Sequence, residues 1–199
     1  MKLFIKPGAC SLASHIVIHE AGLKVQVEKM KDGKTESGAD FKAINPKGYV
    51  PALQLDDGQV LTEGAVILQF LSDKADGSKL LPAQGTMERY RAQEWLNYVG
   101  TELHKGIGAI FNSSYSDDTK DKMRAALKPK FEYLDHHLGQ HDFLMGKGFT
   151  APDAYAFTVL GWTKHLKIDL APYKNVTAFL ARVGQRQGVQ AALKAEGLA

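Results

Sequence analysis

The spacing of apolar and polar positions changes character once along this chain. Lys2-Leu3-Phe4-Ile5-Lys6 is a short run with β-branched and aromatic residues, closed by Pro7-Gly8, which predicts a strand and a turn. Leu12, Ile16, Val17 and Ala21 then recur at helical spacing, and Gly22 ends that helix. In Leu23–Glu28, Val25 and Val27 alternate with Lys24 and Gln26, so residues 2–28 read as a βαβ unit with a parallel strand pair. Lys29–Asp40 is charged, contains Gly33 and Gly38, and is expected as an exposed loop. Phe41, Ala43 and Ile44 predict a helical turn stopped by Asn45-Pro46. Leu53 and Leu55 begin a strand that Asp56-Asp57-Gly58 turns into Gln59-Val60-Leu61. Thr62 is the expected cap of a helix marked by Val66, Ile67, Phe70 and Leu71.

Past Asp73 the strand signals stop. Asp73–Gln84 carries Gly77 and Pro82 without periodicity and reads as a linker, which divides the chain into domains 1–78 and 86–199. Met87–Phe111 reads as one long helix, with Trp95, Val99, Leu103, Ile107 and Ile110 on its apolar stripe. Elsewhere on it lie Asn97, Thr101, His104, Lys105 and Gly108, interrupted by Gly100 and Gly106. Each glycine costs a helix roughly 1 kcal/mol relative to alanine. The expectation is that something packs closely there, as at the wall of a cleft. Thr119–Leu138 is another helix, kinked at Pro129. Thr150 and Asp153 form a capping box for an almost wholly apolar helix, the core of the second domain. Two shorter helices follow, near 175–183 and 187–196.

Composition narrows the function classes. The chain has 199 residues, 44% apolar and 24% charged, with a net charge of +3. The basic residues are scattered, so nucleic acid is not an expected partner. No apolar run approaches the roughly 18 residues of a membrane span. Lys6, His15, His19 and Glu20 interrupt any signal-peptide core, so a cytoplasmic location is expected. The single cysteine excludes an intramolecular disulfide. His137 and His141 are four apart, but Gly139 lies between them and no carboxylate or thiol completes a ligand set, so no metal is expected.

Four places carry candidate chemistry. Cys10 falls at the start of the first helix, where unpaired N–H groups and the helix dipole favour a thiolate, the nucleophilic form. A lone cysteine is more often a small buried hydrophobe. A strand-to-helix turn, however, faces the end of the sheet where α/β folds bind ligands, and Ser11 adds a hydroxyl beside it. Val50 precedes Pro51 and is extended, leaving its N–H and C=O to pair with a peptide laid alongside; the plain alternative is a strand-entry proline. Glu63 and bare N–H groups at a helix start could hold a ligand bearing an amine and a carboxylate; alternatively Glu63 only complements the dipole. His104 lies on the glycine-interrupted stripe, where an ordinary solvated face is the competing reading.

Taken together, Lys6-Pro7-Gly8-Ala9-Cys10-Ser11-Leu12-Ala13, Asn45-Pro46-Lys47-Gly48, Val50-Pro51-Ala52-Leu53, Leu61-Thr62-Glu63-Gly64, Glu94-Trp95-Leu96-Asn97, Glu102-Leu103-His104-Lys105-Gly106 and Phe149-Thr150 with Asp153-Ala154-Tyr155 resemble the bacterial beta-class glutathione S-transferases, in order along the whole chain. The resemblance implies an α/β thioredoxin-like N-terminal domain plus an all-α C-terminal domain, and a homodimer. It implies a cytoplasmic detoxification enzyme using glutathione as co-substrate, without a metal. Val50-Pro51 would be a cis-proline pair holding the cysteinyl part of glutathione, and Glu63 and Gly64 would hold its γ-glutamyl end. Asn97, Thr101, Glu102 and His104 would be second-domain contacts, some reaching a partner subunit's ligand. Cys10 would face the glutathione sulfur. The family's loop lysine aligns with Gly33, which passes that contact to Lys34.

The expected reaction is attack of the glutathione thiolate on a hydrophobic electrophile, with Cys10 and His104 as catalytic residues and Ser11 assisting. The electrophile would lie near Phe111, Tyr115 and His165. Mixed-disulfide formation at Cys10 would add thiol–disulfide exchange. The competing class is a glutathione-fold protein that sequesters apolar ligands without turnover.

Overall fold

A computed structural model describes residues 1–75, 80–146 and 148–199. The centre of the expected linker lies outside the described residues. Two compact units result: residues 1–81 with 186–199, and residues 82–185.

The first unit is built on a five-stranded sheet. Its strands are β1 (Lys2–Ile5), β2 (Gln26–Lys31), β3 (Lys34–Thr35), β4 (Ala52–Gln54) and β5 (Val60–Thr62). Their order is β3-β2-β1-β4-β5. Only β1 and β2 are parallel, in register Leu3↔Val27; β4 runs antiparallel to β1, pairing Leu3 with Leu53. Helix α1 (Ser11–Glu20) makes the crossover that a parallel pair requires. The sheet's central residues Leu3, Phe4, Ile5, Ala52 and Leu53 are buried with Ile16 and Val17 of α1. Phe4, Phe41 and Ala52 form a smaller cluster under which Val50 and Met30 tuck.

Several boundaries differ from the sequence expectation. The stretch 29–40 is not a loop: β2 continues to Lys31 and turns into β3 through Asp32 and Gly33, at φ 49° and 80°. Two successive positive φ values are the type I′ geometry that an Asp-Gly pair favours. Buried Glu28 fastens the far side of this hairpin, accepting from Lys2 Nζ at 2.8 Å and from Ser37 N at 3.1 Å. Those bonds hold its carboxyl down to about 2, Lys2 contributing most and Ser37 next. A short helix α2 (Phe41–Ile44) follows, capped by Asp40, whose carboxylate accepts from Lys42 N. Helix α3 (Gly64–Asp73) is preceded not by a capping Thr62 but by Glu63, at φ 70°.

The second unit is helical. The expected single helix from Met87 is α4 (Met87–Tyr98), a π-helical turn at Val99–His104 and α5 (Lys105–Ala109). Its apolar stripe is as expected, with Trp95, Val99, Leu103, Ile107 and Ile110 all buried. Helix α6 (Asp117–Leu138) contains Pro129, and α7 (Ala151–Gly161) is buried along nearly its whole length. A 3₁₀ turn (Trp162–His165) and α8 (Lys174–Gly184) follow. The last helix, α9 (Gln187–Glu196), packs on α1 and so belongs to the first unit. No helix among the described residues is long and apolar enough to cross a membrane.

Asp153 carries the start of α7. Its buried carboxylate accepts from Thr150 N and Thr150 Oγ1, both at 2.7 Å, and from Leu144 N at 2.8 Å. Removing it strands buried N–H donors, and hydrogen bonds to a charged group contribute about 1.5–3 kcal/mol each. Asp153→Ala should therefore lower the unfolding free energy of this unit by about 3–5 kcal/mol, with equilibrium denaturation as the measure. A loss below about 1 kcal/mol would show that the cap does not anchor α7.

Candidate active site

In the first unit, Pro7-Gly8 turns the chain out of β1, and Cys10 becomes the N-cap residue of α1. Cys10 is partly exposed rather than sealed in the core. Its Sγ lies 3.1 Å from the Val50 carbonyl oxygen, to which the thiol donates. The Val50–Pro51 bond is cis, as the resemblance implies. The β1–β4 pairing places the end of β1 and the entrance of β4 side by side, which is why residues forty positions apart meet here. The loop before Val50 is shaped by Asn45, whose amide donates to Tyr49 O at 2.7 Å and whose Oδ1 accepts from Lys47 N at 3.2 Å.

Glu63 stands at the next corner. Its left-handed φ of 70° is costly for a residue with a side chain, and such positions gather at binding sites. Its carboxylate meets Lys47 Nζ at 2.6 Å, and the same ammonium reaches Thr62 Oγ1 at 3.1 Å. Both side chains are more than half exposed, so the pair contributes little to stability and stays accessible to solvent. A Cβ on Gly64 would lie 3.9 Å from the Pro51 ring, so the start of α3 adjoins the cis-proline. Cys10, Val50, Pro51, Glu63 and Gly64 thus line up along one end of the sheet.

Two expected participants are placed differently. Ser11 is fully buried, its hydroxyl accepting from Lys6 N at 3.1 Å and donating to Lys6 O at 3.3 Å. It closes the turn instead of facing a ligand. Lys34 opens β3, the edge strand opposite β5, and pairs across the hairpin with Lys31. Lys47 was not singled out by the sequence reading. Its place three residues before Val50, in the Asn45-Pro46-Lys47-Gly48 run, was the available signal.

In the second unit, His104 ends the π-helical turn. Its Nδ1 is 2.6 Å from the Tyr155 hydroxyl, and its ring meets Trp162 edge-on at 5.0 Å. Phe111 adds an edge contact to Trp162 at 6.0 Å. The glycines of this stretch make room for the protein's own side chains. A Cβ on Gly100 would be 3.6 Å from Tyr155 Oη, one on Gly108 3.5 Å from His104 Cδ2, and one on Gly106 2.8 Å from Leu127 Cδ2. Asn97 and Thr101 are exposed, linked by a Thr101 hydroxyl donating to Asn97 O at 3.0 Å. Glu102 pairs with Lys130 at 2.7 Å, which holds its carboxyl below the usual range. Trp162, at the C-terminal end of α7, is the ring that backs His104.

Burial, with a smaller contribution from the charge of Lys105, pushes the His104 imidazole down from its ordinary 6.5 to about 4. His104 is therefore neutral at physiological pH, one ring nitrogen accepting and the other donating. Among the described residues, no three His, Cys, Asp or Glu side chains are grouped to hold a metal.

A thioredoxin-like sheet with its thiol at a helix start and a cis-proline opposite, followed by an all-helical unit, defines the glutathione transferase fold. The family model for the glutathione S-transferase N-terminal domain matches residues 8–74, and that for the C-terminal domain matches residues 98–187. The chain is 46% identical to glutathione S-transferase GstA of Escherichia coli O157:H7, over all of both chains. It superposes on a beta-class transferase of Sphingomonas chungbukensis with TM-score 0.96 at 43% identity, and on a sphingomonad transferase complexed with glutathione with TM-score 0.96 at 42%, each covering both chains fully. This chain belongs to the glutathione S-transferase family of enzymes, in its bacterial beta class.

The lowered His104 value fixes a pH window. Between about 4 and 6.5 the unfolded chain binds a proton at His104 that the folded chain does not. Stability from this group should therefore rise with pH across that window and level off above it. A histidine NMR titration should show one resonance with a midpoint near 4 that disappears in His104→Gln. A midpoint at the ordinary value of 6.5 would refute the buried, neutral imidazole.

Proposed function

We propose that this enzyme binds glutathione along Val50 and Glu63 and transfers its sulfur to small apolar electrophiles, working in the cytoplasm as a homodimer in detoxification. The observation that carries this reading is the contact between the chain's only thiol and the Val50 carbonyl, beside a cis-proline and an exposed carboxylate. An extended cysteinyl backbone laid against Val50 would compete with the Cys10 thiol for that carbonyl and bring the two sulfurs together. The γ-glutamyl ammonium would meet Glu63, and its carboxylate the N–H groups at the start of α3 and Lys47. Lys34, the exposed Asn97 and Thr101, and the half-buried Glu102 would extend the contacts, the last three toward the ligand of the second copy.

In the transfer step the glutathione thiol gives its proton to a base, the sulfur forms a bond to the electrophilic carbon, and the leaving group departs with its electron pair. The family resemblance gives that role to His104, whose imidazole is neutral and so free to take up a proton. Cys10 supports a second reaction. Its thiolate can attack a mixed disulfide of glutathione, forming a Cys10–glutathione disulfide and releasing the other thiol, after which a second glutathione thiolate regenerates Cys10.

Retention on immobilised glutathione, with turnover of an aryl halide and of a mixed disulfide, tests this reading. Cys10→Ala should abolish disulfide exchange while leaving retention intact. Glu63→Gln should raise the KM for glutathione about tenfold, the effect of losing about 1.4 kcal/mol of charged hydrogen bonding. Sedimentation should give twice the 21.8 kDa chain mass. Retention with no turnover of any electrophile or disulfide would instead favour the sequestering protein.

A further inference from the structure

Helix α1 carries a buried ionisable pair that the transfer mechanism does not use. His15 and Glu196 lie 181 positions apart, both below a tenth exposed, with His15 Nδ1 2.9 Å from Glu196 Oε1. The second carboxylate oxygen, Oε2, accepts from Gly8 N at 2.9 Å. Gly8 has φ 73°, and Leu198 sits over the place its Cβ would occupy. Ala9 N donates to Lys6 O, and the Ser11 hydroxyl closes on Lys6 from the other side. The whole turn from Lys6 to Cys10 is therefore fastened at three points. Of these, Glu196 reaches in from another helix, 188 positions from Gly8; the Cys10 thiol adds its own bond to the Val50 carbonyl. A separate clasp joins the same helices farther along, where Arg186 Nε donates to Glu20 Oε1 at 3.0 Å.

We infer that Glu196 is a positioning residue for Cys10: from the last turn of α9, its carboxylate holds the Gly8 amide and so fixes where the thiol stands. The inference rests on the reading of Cys10 as the reacting thiol. The physical basis is economy of partners. A buried carboxylate must be fully hydrogen-bonded, and a buried amide must find an acceptor. Here each satisfies the other, with His15 taking the remaining oxygen. Where both oxygens accept, the hydrogen shared with His15 is on Nδ1. A turn so over-determined holds one conformation, which a site needs when reacting atoms must sit within a fraction of an ångström.

The test compares Glu196→Leu, Glu196→Gln and Arg186→Gln in the full-length enzyme. The leucine keeps the volume and loses the acceptor. The glutamine keeps an acceptor for Gly8 N, and its amide can be received by His15 in the other tautomer. Arg186→Gln weakens the α1–α9 packing without touching the turn. Two readouts are used: the second-order rate of Cys10 alkylation by iodoacetamide, and KM and kcat for glutathione with an aryl halide. Glu196→Leu should change the alkylation rate about fivefold or more and raise the glutathione KM about tenfold, with a smaller effect on kcat. Glu196→Gln should return both to within about twofold of the parent, and Arg186→Gln should leave both there while losing comparable stability. Should Glu196→Leu fail to fold, Glu196→Asp, one carbon too short to reach both partners, should move both readouts in the same direction. The inference is overturned if the leucine and glutamine variants behave alike, if Arg186→Gln shifts alkylation equally, or if the aspartate variant matches the parent. Alkylation needs no glutathione. A shift in alkylation with unchanged transfer kinetics would sustain the positioning role and remove Cys10 from the transfer reaction.

Discussion

The antiparallel pairing of β1 with β4 is the constraint on which the first unit's chemistry depends. It brings the end of one strand, which leads into Cys10, beside the start of the other, which follows Val50-Pro51. Nothing local to either segment would make them meet. A parallel neighbour for β1 at that place would need a crossover helix and would carry the β4 entrance to the opposite end of the sheet. Instead β2 takes the parallel side and β4 the antiparallel one. One end of the sheet then presents a helix start, an extended backbone and, through β5, the Glu63 corner. Each is a backbone feature able to receive part of a peptide.

Much of this was legible because the signals are short-range. The helix start at Cys10 follows from Pro7-Gly8 and the apolar spacing of Leu12, Ile16 and Val17. The Thr150–Asp153 capping box follows from two residues three apart. Where the sequence reading went astray, the deciding influence was either a turn signal overruled by composition or a contact across the chain. Asp32-Gly33 was a complete hairpin signal, but the lysines and glycine around it made the segment resemble a loop. Glu63 in a left-handed conformation is not foreseeable from local preference, since a residue with a side chain pays for that φ and only its surroundings impose it. Ser11 was expected to face a ligand because of where it lies in sequence, and its hydroxyl was claimed by Lys6, five residues back.

The π-helical turn shows how a correct inference from sequence can have an unexpected object. Gly100, Gly106 and Gly108 were read as marking a close approach, and each does. What approaches is Tyr155, Leu127 and the His104–Trp162 pair. The extra residue that a π-turn accommodates changes which side chains share a face, and such turns often occur at functional sites. A strict 3.6-residue periodicity would have placed Asn97, Thr101 and His104 on one uniform stripe. Instead Thr101 is exposed while His104 is half-buried against aromatic rings. The desolvation that keeps its imidazole neutral comes from that packing.

The contrast between Glu63 and Glu196 shows how the same side chain serves opposite ends. Glu63 is exposed and shares a solvated lysine, so a ligand can replace water around it at small cost. Glu196 is enclosed, with each oxygen matched to a fixed donor, so nothing can bind there without leaving a buried group unpaired. Exposure leaves the first carboxylate accessible to solvent, whereas enclosure commits both oxygens of the second to the protein's own groups. Both lie on helix ends that flank the start of α1, one within the first seventy residues and one contributed by the end of the chain. That arrangement explains why α9 packs with the first unit although it follows the helical one. The turn bearing the thiol is short and rich in glycine and proline, and α9 supplies an acceptor for its Gly8 amide.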